Sequence, residues 1–267
     1  MSAIVFDGKE FASNKEEELR KKGLNPKLAS ILVGEDPASK IYLNLKKKAA
    51  ERVEAIVEIH KFPESANPKD IIALIKKLNL DDSTHGIMIQ LPLPRSLKLE
   101  AKRLIDAIDS KKDVDGLREN SFFVPATVKA ILQIIELATS DKRKVTRKRV
   151  VVVGVKGEVG RRLIRELKKR EYRVSGYDIE TKDLQAKTKD ADILISVTGV
   201  PGLIKADMVR GGAVVIDVGS PKGDVNFAEV SKKASFITPV PGGVGPVTIS
   251  CLLENLVEAV LRFTTYP

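Results

Sequence analysis

The chain has 267 residues, 43% of them hydrophobic, which is enough to bury a substantial core in one large domain or two ordinary ones. Its single cysteine, Cys251, excludes an intramolecular disulfide framework and a cysteine-rich zinc site, and no His, Cys or carboxylate cluster has metal-ligand spacing, so we expect no bound metal. The formal net charge of +10 favours anionic partners, but with 4% aromatic residues and no helix-turn-helix, zinc-finger or RRM signature we expect no nucleic acid among them.

The N-terminal sequence favours a cytoplasmic protein. Residues 1–18 become acidic where a signal peptide needs a long apolar core. We identify no apolar run of the roughly 18 residues that are needed to span a bilayer. We therefore expect a cytoplasmic chain without a membrane partner.

Short apolar runs alternate with charged helical runs in the first part of the chain. The strand-like runs read "LASILVG", "AIVEIHKF" and "HGIMIQLPLP", and helices are expected from Ser39 to about Val53 and from Lys69 to Leu78. This alternation predicts a parallel sheet with helices packed on its faces. Asp36 followed by Pro37 is typical of a helix N-cap and first helical position, so this pair predicts where the first helix begins.

Three consecutive lysines, residues 46–48, lie within that first helix. Such a run is most often a solvated helix face. At about 100° per residue the three side chains point in different directions, and only Lys46 follows Tyr42 by four residues on the same flank. We expect Tyr42 and Lys46 to emerge at the edge of the core, where a cleft could remove Lys46 from water, with Lys47 and Lys48 facing solvent. The apolar stripe expected beside this flank is formed by Ile41, Leu45 and Ala49.

The second part of the chain predicts a nucleotide-binding unit. The sequence from Arg149 onward reads as a strand, a glycine turn, a helix and a second strand that ends at Asp178. Gly154, Gly157 and Gly160 form a variant of the dinucleotide fingerprint, in which a pyrophosphate approaches a helix N-terminus. The alternative is a close-packed strand-to-helix turn without a ligand.

Three further apolar runs, "ADILISVTG", "GAVVIDVG" and "ASFITPVPGG", predict strands that extend this sheet. Thr198, Gly199 and Gly219 then lie at the carboxyl ends of the strands, which is where an open α/β sheet binds its ligand. The pattern places the change of domain between Arg118 and Pro125.

Four motifs stand in order along the chain: Tyr42-x-x-x-Lys46, "QLPLP" from Gln90 to Pro94, "KDVDG" from Lys112 to Gly116, and "TPVPGGVGPVT" from Thr238 to Thr248. Together they resemble the bifunctional methylenetetrahydrofolate dehydrogenase/cyclohydrolase family (FolD), over nearly the whole chain. The resemblance implies NAD(P)-dependent oxidation of 5,10-methylenetetrahydrofolate to the 5,10-methenyl form, and hydrolysis of that form to 10-formyltetrahydrofolate.

The resemblance also implies an α/β fold of two domains. Residues 1–120 would form an N-terminal α/β folate-binding catalytic domain, and residues 121–246 a Rossmann-like NAD(P)-binding domain with a parallel sheet. A C-terminal helix, residues 247–267, would pack back on the first domain. The expected partners are polyglutamylated tetrahydrofolate derivatives, whose negative charge suits a basic chain, and a second copy of the chain in a homodimer formed through the nucleotide-binding domain.

By resemblance, Lys46 is the catalytic lysine of both reactions. Gln90 would hold its amine, Tyr42 would cover the pterin side of the site, and Asp115 would pair with the pterin amino and ring N–H groups. Two of these residues also have a purely structural interpretation. Gln90 could satisfy a backbone group at a strand end, and Asp115, which precedes a glycine, could be a turn residue.

The resemblance assigns two further groups of residues. A loop between folate and nicotinamide would contain Pro241, Gly242 and Gly245, where side chains would obstruct the ligands. The residues expected to contact the cofactor are Gly154, Val155, Lys156, Gly160, Asp178, Ile179, Thr198, Ser220 and Thr248.

The chain departs from the family pattern in its nucleotide loop, which has Gly154, Val155 and Lys156 where G-R-S is common, so the Arg and the Ser are absent. Asp178, about 24 residues after Gly154, is the kind of acidic residue that hydrogen-bonds the ribose of NAD and repels the 2′-phosphate of NADP. Cations able to offset that repulsion are Lys156, Arg161 and Lys182. We expect NADP, with NAD possible because of Asp178.

Residues 117–124 are shorter than the usual family loop, so no family contact is transferred to them. Two other functions remain open. One is a monofunctional cyclohydrolase with weak or lost dehydrogenase activity, because the nucleotide loop is altered. The other is a nucleotide-binding module without catalysis.

Overall fold

Two separate parallel sheets organise the protein, and both are described in a computed structural model that covers residues 2–139 and 148–263. One compact unit comprises the chain up to Ala12 together with Thr127–Thr248. The other comprises Ser13–Ala126 together with the chain from Ile249 onward. The predicted α/β class with parallel sheets is confirmed.

The smaller sheet has three parallel strands, which are β2 (Lys27–Val33), β3 (Ile56–Phe62) and β4 (Gly86–Ile89). Their order across the sheet is β3-β2-β4. The helices of this part of the chain are α1 (Gly8–Arg20), α2 (Pro37–Arg52), α3 (Pro68–Leu80) and α4 (Ala101–Asp106), with a 3₁₀ helix at Arg95–Glu100. All four residues of β4 are buried, which is typical of a parallel strand covered on both faces.

The start of α2 is as predicted. Asp36 is its N-cap and accepts a hydrogen bond from the Ser39 backbone N–H at 2.7 Å, and Pro37 occupies the first helical position. The bond also holds the pKa of the Asp36 carboxyl below its usual range. The helix therefore begins at a fixed residue, and this sets the direction of every side chain along it.

The larger sheet has six parallel strands, which are β1 (Ile4–Val5), β5 (Arg149–Val153), β6 (Arg173–Tyr177), β7 (Ile193–Ser196), β8 (Val214–Asp217) and β9 (Phe236–Ile237). Their order across the sheet is β1-β9-β8-β7-β5-β6. The helices introduced with it are α5 (Ala126–Ala138), α6 (Glu158–Lys169), α7 (Leu184–Thr188), α8 (Phe227–Val230) and α9 (Val244–Phe263), with a 3₁₀ turn at Ala206–Met208. The predicted strand-turn-helix-strand unit is thus β5-α6-β6.

The N-terminal segment belongs with the larger sheet. Ile4 pairs with Phe236 and Val5 with Ile237, so β1 forms an edge of that sheet. The sequence prediction includes these residues in a first domain of residues 1–120, and the structure corrects it. A strand of two residues has no periodicity of its own, and its partner lies more than two hundred residues away.

The C-terminal helix α9 changes unit along its length, with the part from Ile249 onward in the unit of the smaller sheet. There Asn255 Nδ2 donates to the carbonyl oxygens of Val114 at 2.9 Å and Val124 at 3.1 Å. The ring of Phe263 lies edge-on to that of Phe122, with centroids 5.1 Å apart. The predicted packing of this helix on the first domain is confirmed, while its predicted residues 264–267 lie outside the described residues.

Helix α9 also corrects the expectation that no run of the chain could span a bilayer. By length and composition it is apolar enough to do so, with a mean hydropathy of 1.5 over 18 residues. In the structure, 67% of that window is buried. Glu254 and Glu258 interrupt the run in the sequence, which is why it does not read as continuous.

Candidate active site

The inward face of α2 carries the candidate lysine. The buried residues of this helix are Ser39, Leu43, Ala49 and Ala50. Lys46 follows Leu43 by three residues and precedes Ala50 by four, so its side chain leaves the helix on the same side. Lys47 and Lys48 are exposed, as predicted.

The apolar stripe predicted on α2 is wrong at two of its three positions. Ile41 is 63% exposed and Leu45 is 46% exposed, whereas Ala49 is buried. The helix turns the face that contains Leu43 and Ala50 inward instead. Both faces have apolar residues at helical spacing, and spacing alone does not distinguish which of them is buried.

The amine of Lys46 has two described contacts. Its Nζ donates to Gln90 Oε1 at 3.1 Å and lies 3.8 Å from the sulfur of Met88. Gln90 is 6% exposed and its Nε2 donates to the Leu91 carbonyl oxygen at 2.8 Å. The amide of Gln90 is therefore held so that its oxygen faces the lysine.

The environment of Lys46 perturbs its acidity. Although the residue as a whole is half-buried, desolvation of its ammonium group lowers the pKa of Lys46 below the usual range for lysine. The nearby carboxylate of Asp115 acts in the opposite direction. An amine with a lowered pKa can exchange a proton with a bound molecule at a pH where an exposed lysine stays charged.

Asp115 lies in a loop that is held by hydrogen bonds to a buried carboxylate. Buried Asp113 accepts hydrogen bonds from the backbone N–H groups of Arg118 at 2.8 Å and Leu117 at 3.2 Å. Burial raises the pKa of the Asp113 carboxyl, and those hydrogen bonds oppose the rise. Gly116 has φ +72°, and a Cβ there would lie 2.6 Å from Pro125 Cα, so only glycine fits.

Sequence reasoning missed Asp113 and Asn255 as supports of this loop. Asn255 Nδ2 binds the carbonyl oxygens of Val114 and Val124, on either side of Asp115 in the sequence. The D-x-D-G spacing of Asp113 was a usable signal. No signal in the sequence indicated Asn255, because its hydrogen-bond partners are more than 130 residues away along the chain.

Tyr42 lies one helical turn before Lys46 and is 37% exposed. One unit of the protein thus contains an enclosed lysine amine, an oriented amide, a half-buried carboxylate and a partly accessible phenol. Such a set can hold a planar, hydrogen-bonding molecule and exchange a proton with it.

The glycine loop between β5 and α6 fits a nucleotide phosphate. Gly154 has φ +101°, and a Cβ on Gly160 would lie 2.2 Å from the Gly154 carbonyl oxygen, so side chains are excluded at both positions. Gly157 is the N-cap of α6 and has no side chain to bind the first N–H groups of the helix. Those N–H groups are the ones that bind phosphate in this kind of turn.

Asp178 braces the same loop at the end of β6. One carboxylate oxygen accepts the Lys156 backbone N–H at 2.9 Å and the other accepts the Ile179 backbone N–H at 2.9 Å. The Lys156 ammonium lies 2.5 Å from Glu180 Oε2, and Arg161 is paired with Glu158 at 3.0 Å. Two of the three cations expected to offset Asp178 are therefore already paired with carboxylates.

Two buried carboxylates, which sequence reasoning missed, hold the loops that follow β7 and β8. Asp224 Oδ2 accepts hydrogen bonds from Ser196 Oγ at 2.8 Å and from Thr198 through both N–H, at 2.7 Å, and Oγ1, at 2.9 Å. Asp217 Oδ1 accepts the N–H groups of Gly219 and Asp224, both at 2.9 Å. Burial raises the pKa of the Asp217 carboxyl, against its backbone hydrogen bonds. In the sequence, the G-D-V tripeptide at residues 223–225 was the signal that could have identified Asp224.

The remaining predicted residues lie in the unit of the larger sheet. Gly242 has φ +105°, and the space around the Cα of Gly245 is open. Thr248 Oγ1 donates to the Val244 carbonyl oxygen at 3.1 Å. Ser220 is exposed. Pro241 follows a cis peptide bond.

Two family models match the chain. The catalytic domain of tetrahydrofolate dehydrogenase/cyclohydrolase matches residues 6–115, and the NAD(P)-binding domain of the same family matches residues 125–264. Within the described ranges, no three His, Cys, Asp or Glu residues are grouped as a metal site.

Individual proteins agree with these models. The bifunctional protein FolD of Nautilia profundicola is 41% identical over 282 residues, covering 97% of this chain and 98% of the relative. A crystal structure of the FolD dehydrogenase/cyclohydrolase of Campylobacter jejuni has a TM-score of 0.91 at 36% identity, covering 98% of this chain and 99% of the other. The Trypanosoma brucei FolD structure, complexed with NADP cofactor and an inhibitor, has a TM-score of 0.91 at 30% identity and full coverage of both chains.

Proposed function

Because the chain belongs to the tetrahydrofolate dehydrogenase/cyclohydrolase family, we propose that it oxidises 5,10-methylenetetrahydrofolate to 5,10-methenyltetrahydrofolate with NAD(P)⁺ and hydrolyses the product to 10-formyltetrahydrofolate. The observation that carries the proposal is the enclosed amine of Lys46, 3.1 Å from Gln90 Oε1. The folate-site domain is the unit of the smaller sheet, and the NAD(P)-binding domain is the unit of the larger sheet.

Lys46 acts in hydrolysis as a proton carrier. The methenyl carbon is bonded to two nitrogens in an amidinium-like group, and water attacks this carbon. Lys46 Nζ accepts a proton from the water and returns one to the folate nitrogen that leaves the carbon. The lowered pKa of Lys46 makes the neutral amine available nearer to neutral pH.

The other three residues position the folate. Gln90 fixes the amine of Lys46 through its oriented amide oxygen. Asp115 presents a carboxylate to the amino and ring N–H groups of the pterin, which is a planar match of two acceptors to two donors. Tyr42 covers the ring system with its partly exposed phenol.

The cofactor residues fit a dinucleotide. We propose that the loop of Gly154, Val155, Lys156 and Gly160 holds the pyrophosphate at the N-terminus of α6, that Asp178 and Ile179 meet the adenosine ribose, and that Thr198, Ser220 and Thr248 meet the nicotinamide half. When bound, the cofactor accepts the hydride from the methylene carbon of the folate. We further propose Pro241, Gly242 and Gly245 as substrate contacts, because the two glycines leave room for a ligand.

The nicotinamide cofactor is proposed to be NADP. The Trypanosoma brucei relative, 30% identical, is complexed with NADP, and Lys182 has no ion-pair partner within the described residues, so it is available to a 2′-phosphate. NAD is the second candidate, because Asp178 and Glu180 place two carboxylates at the end of β6. The ratio of dehydrogenase kcat/KM with the two cofactors decides between them, and a large preference for NAD contradicts the first choice.

Replacement of Lys46 tests the whole assignment. In Lys46→Met, we expect hydrolysis of methenyltetrahydrofolate to fall by on the order of a hundredfold or more, because the proton carrier is gone. Cofactor binding, followed by fluorescence titration, is expected to be unchanged. The matched control is Lys47→Met, which removes an exposed charge from the next position. Full cyclohydrolase turnover by Lys46→Met would refute the assignment.

A monofunctional cyclohydrolase is the second candidate function, favoured by the altered residues Val155 and Lys156 in the nucleotide loop. One absorbance assay separates the two functions, because it follows methenyl formation from the methylene substrate and methenyl decay in the same cuvette. Decay without formation, with either cofactor, indicates the monofunctional enzyme. If neither formation nor decay of methenyltetrahydrofolate is observed, the remaining candidate is a nucleotide-binding module without catalysis.

The cellular setting is also a proposal. We propose a cytoplasmic homodimer that uses polyglutamylated folates and binds neither nucleic acid nor membranes. The net charge of +10 supports anionic small molecules as ligands. Sedimentation measures the oligomeric state directly, and a concentration-independent monomer contradicts this part of the proposal.

A further inference from the structure

The amine of Lys46 has a second acceptor besides Gln90, the thioether sulfur of Met88. Gln90 Oε1 lies 3.1 Å from Nζ, and Met88 Sδ lies 3.8 Å from it. An N–H group at that distance makes a weak hydrogen bond, because thioether sulfur is a weak acceptor. Met88 therefore interacts with the amine itself and does more than fill space beside it.

Met88 in β4 and Gln90 directly after it point to the same side of the sheet, because side chains alternate along a strand. Ile87 and Ile89 point to the other side, where they belong to the same buried cluster as Ile71 of α3. Met88 itself is 1% exposed. The chain thus presents a sulfur and an amide oxygen, two residues apart, to one amine.

The other groups around Lys46 do not replace the sulfur. Ser30 is the partner of Met88 in the register of β2 and β4, but its buried hydroxyl has no hydrogen-bond partner within the described residues. Asp115, from its loop, acts on the amine through its charge. Tyr42 lies one turn before Lys46 on α2 itself. In the part of the chain that the structure describes, Gln90 Oε1 and Met88 Sδ are the hydrogen-bond acceptors of the amine.

Two acceptors are the number that a proton-accepting lysine needs. A neutral amine has two N–H groups and one lone pair, in tetrahedral directions. When both N–H groups are bound, the lone pair is left in one fixed direction.

We propose that Met88 is a positioning residue for hydrolysis: its sulfur and Gln90 Oε1 together orient the Lys46 amine, so that the lone pair faces the water that attacks the methenyl carbon. Orientation of this kind speeds a proton transfer because the reacting groups are already aligned. The inference rests on the proposed function, in which Lys46 carries the proton.

Sulfur suits this position because it orients the amine without strongly favouring the ammonium form. A second amide oxygen would bind the ammonium more tightly and raise the pKa of Lys46. An aliphatic side chain of similar size would leave one N–H group without an acceptor, and the amine can then turn about the Cε–Nζ bond. Sulfur, oxygen and carbon at this position therefore predict three different pH profiles.

The first variant is Met88→Leu, which nearly conserves volume and removes the sulfur. We expect kcat of the cyclohydrolase to fall roughly three- to tenfold, as for the loss of one hydrogen bond. The KM for methenyltetrahydrofolate should be unchanged, because Met88 is buried and does not reach the substrate. The acid limb of the pH–kcat profile should move to lower pH, since desolvation remains and one acceptor of the ammonium is lost.

Met88→Gln should move the same limb to higher pH, because an amide oxygen stabilises the ammonium form. The matched control is Ile87→Leu, a buried, volume-conserving change on the opposite face of β4, which should keep the wild-type kcat and pH profile. Thermal unfolding checks that each variant is folded, and Met88→Leu decides alone if Met88→Gln is not. A kcat and a pH profile of Met88→Leu equal to those of the wild type overturn the proposal.

A second measurement separates failure of this inference from failure of the proposed function. NMR titration of protein labelled with ¹³C at the lysine Cε atoms follows protonation without turnover, and the Lys46 signal is identified by its absence in Lys46→Met. Titrations that move in opposite directions in Met88→Leu and Met88→Gln support the sulfur contact. A Lys46 titration that is identical in all the proteins, with normal turnover, contradicts the role of Met88 alone. Absent turnover in the wild type contradicts the proposed function.

Discussion

Lys46 differs from Lys47 and Lys48 only in the direction in which the helix points it. Its neighbours are exposed, whereas the Lys46 amine is enclosed next to Gln90. Two effects set its pKa: desolvation lowers it, and the carboxylate of Asp115 raises it. Because desolvation is the larger effect, the hydrolysis rate should rise with pH below the range in which an ordinary lysine titrates.

The substitution Gln90→Glu probes this balance. A carboxylate in place of the amide oxygen, 3.1 Å from Nζ, stabilises the ammonium form and raises the pKa of Lys46. We expect hydrolysis at neutral pH to fall by about tenfold or more, and the acid limb of the pH–kcat profile to move to higher pH.

The conservative control for that profile is Asp115→Asn, which removes the charge that raises the pKa of Lys46. Its acid limb should move to lower pH, even though its KM for folate increases. If the acid limbs of Gln90→Glu and Asp115→Asn moved in the same direction, Lys46 would not be the group that titrates.

Among the secondary-structure elements, the loops that carry the predicted ligand contacts are held by buried polar residues from elsewhere in the chain. Asp113 and Asn255 support the Asp115 loop, and Asp217 and Asp224 support the ends of β7 and β8. Most buried carboxylates and amides in proteins are hydrogen-bonded, and these four are, although Asp224 Oδ1 has no hydrogen-bond partner within the described residues. Each of these loops is consequently held by hydrogen bonds that do not depend on a bound ligand.

Asp224 is expected to affect one activity and leave the other unchanged. Its carboxylate gathers Ser196 and Thr198, and Thr198 is a proposed cofactor contact. In Asp224→Asn, which keeps the shape and removes the charge, we expect the KM for the nicotinamide cofactor to increase about tenfold, equivalent to ~1.4 kcal/mol.

Hydrolysis needs no cofactor, so the cyclohydrolase activity of Asp224→Asn serves as an internal control for folding and should match the wild type. Thermal unfolding of the variant gives a second check. If both activities fall together, Asp224 supports the fold as a whole rather than the cofactor loop.

The charge of the whole molecule acts at longer range than any of these contacts. At +10, the protein attracts folates and phosphate-bearing cofactors, which are anions. Salt screens such attraction beyond about 8 Å at physiological ionic strength. We expect kcat/KM for the folate substrate to fall several-fold as ionic strength rises, with kcat unchanged. Steady-state kinetics over a salt series tests this, and a flat kcat/KM contradicts it.

Patterns of a few neighbouring residues were sufficient to predict much of the fold. The Asp36–Pro37 pair predicts the start of α2, and alternating apolar and charged runs predict the smaller parallel sheet, because capping and periodicity act over a few residues. The glycine spacing predicts the β5-α6-β6 unit for the same reason. In contrast, the family and its two reactions depended on four separate motifs taken together.

The other features of the fold and of the site depend on packing between residues that are far apart in the chain. Which face of α2 is buried, and hence that Ile41 and Leu45 are exposed, depends on what the helix packs against. The placement of β1 beside β9, and of Asn255 beside the Asp115 loop, joins residues far apart in the chain. Neither propensity nor periodicity carries information about such partners, because each describes only a residue and its near neighbours, whereas burial and pairing are set by the folded chain as a whole.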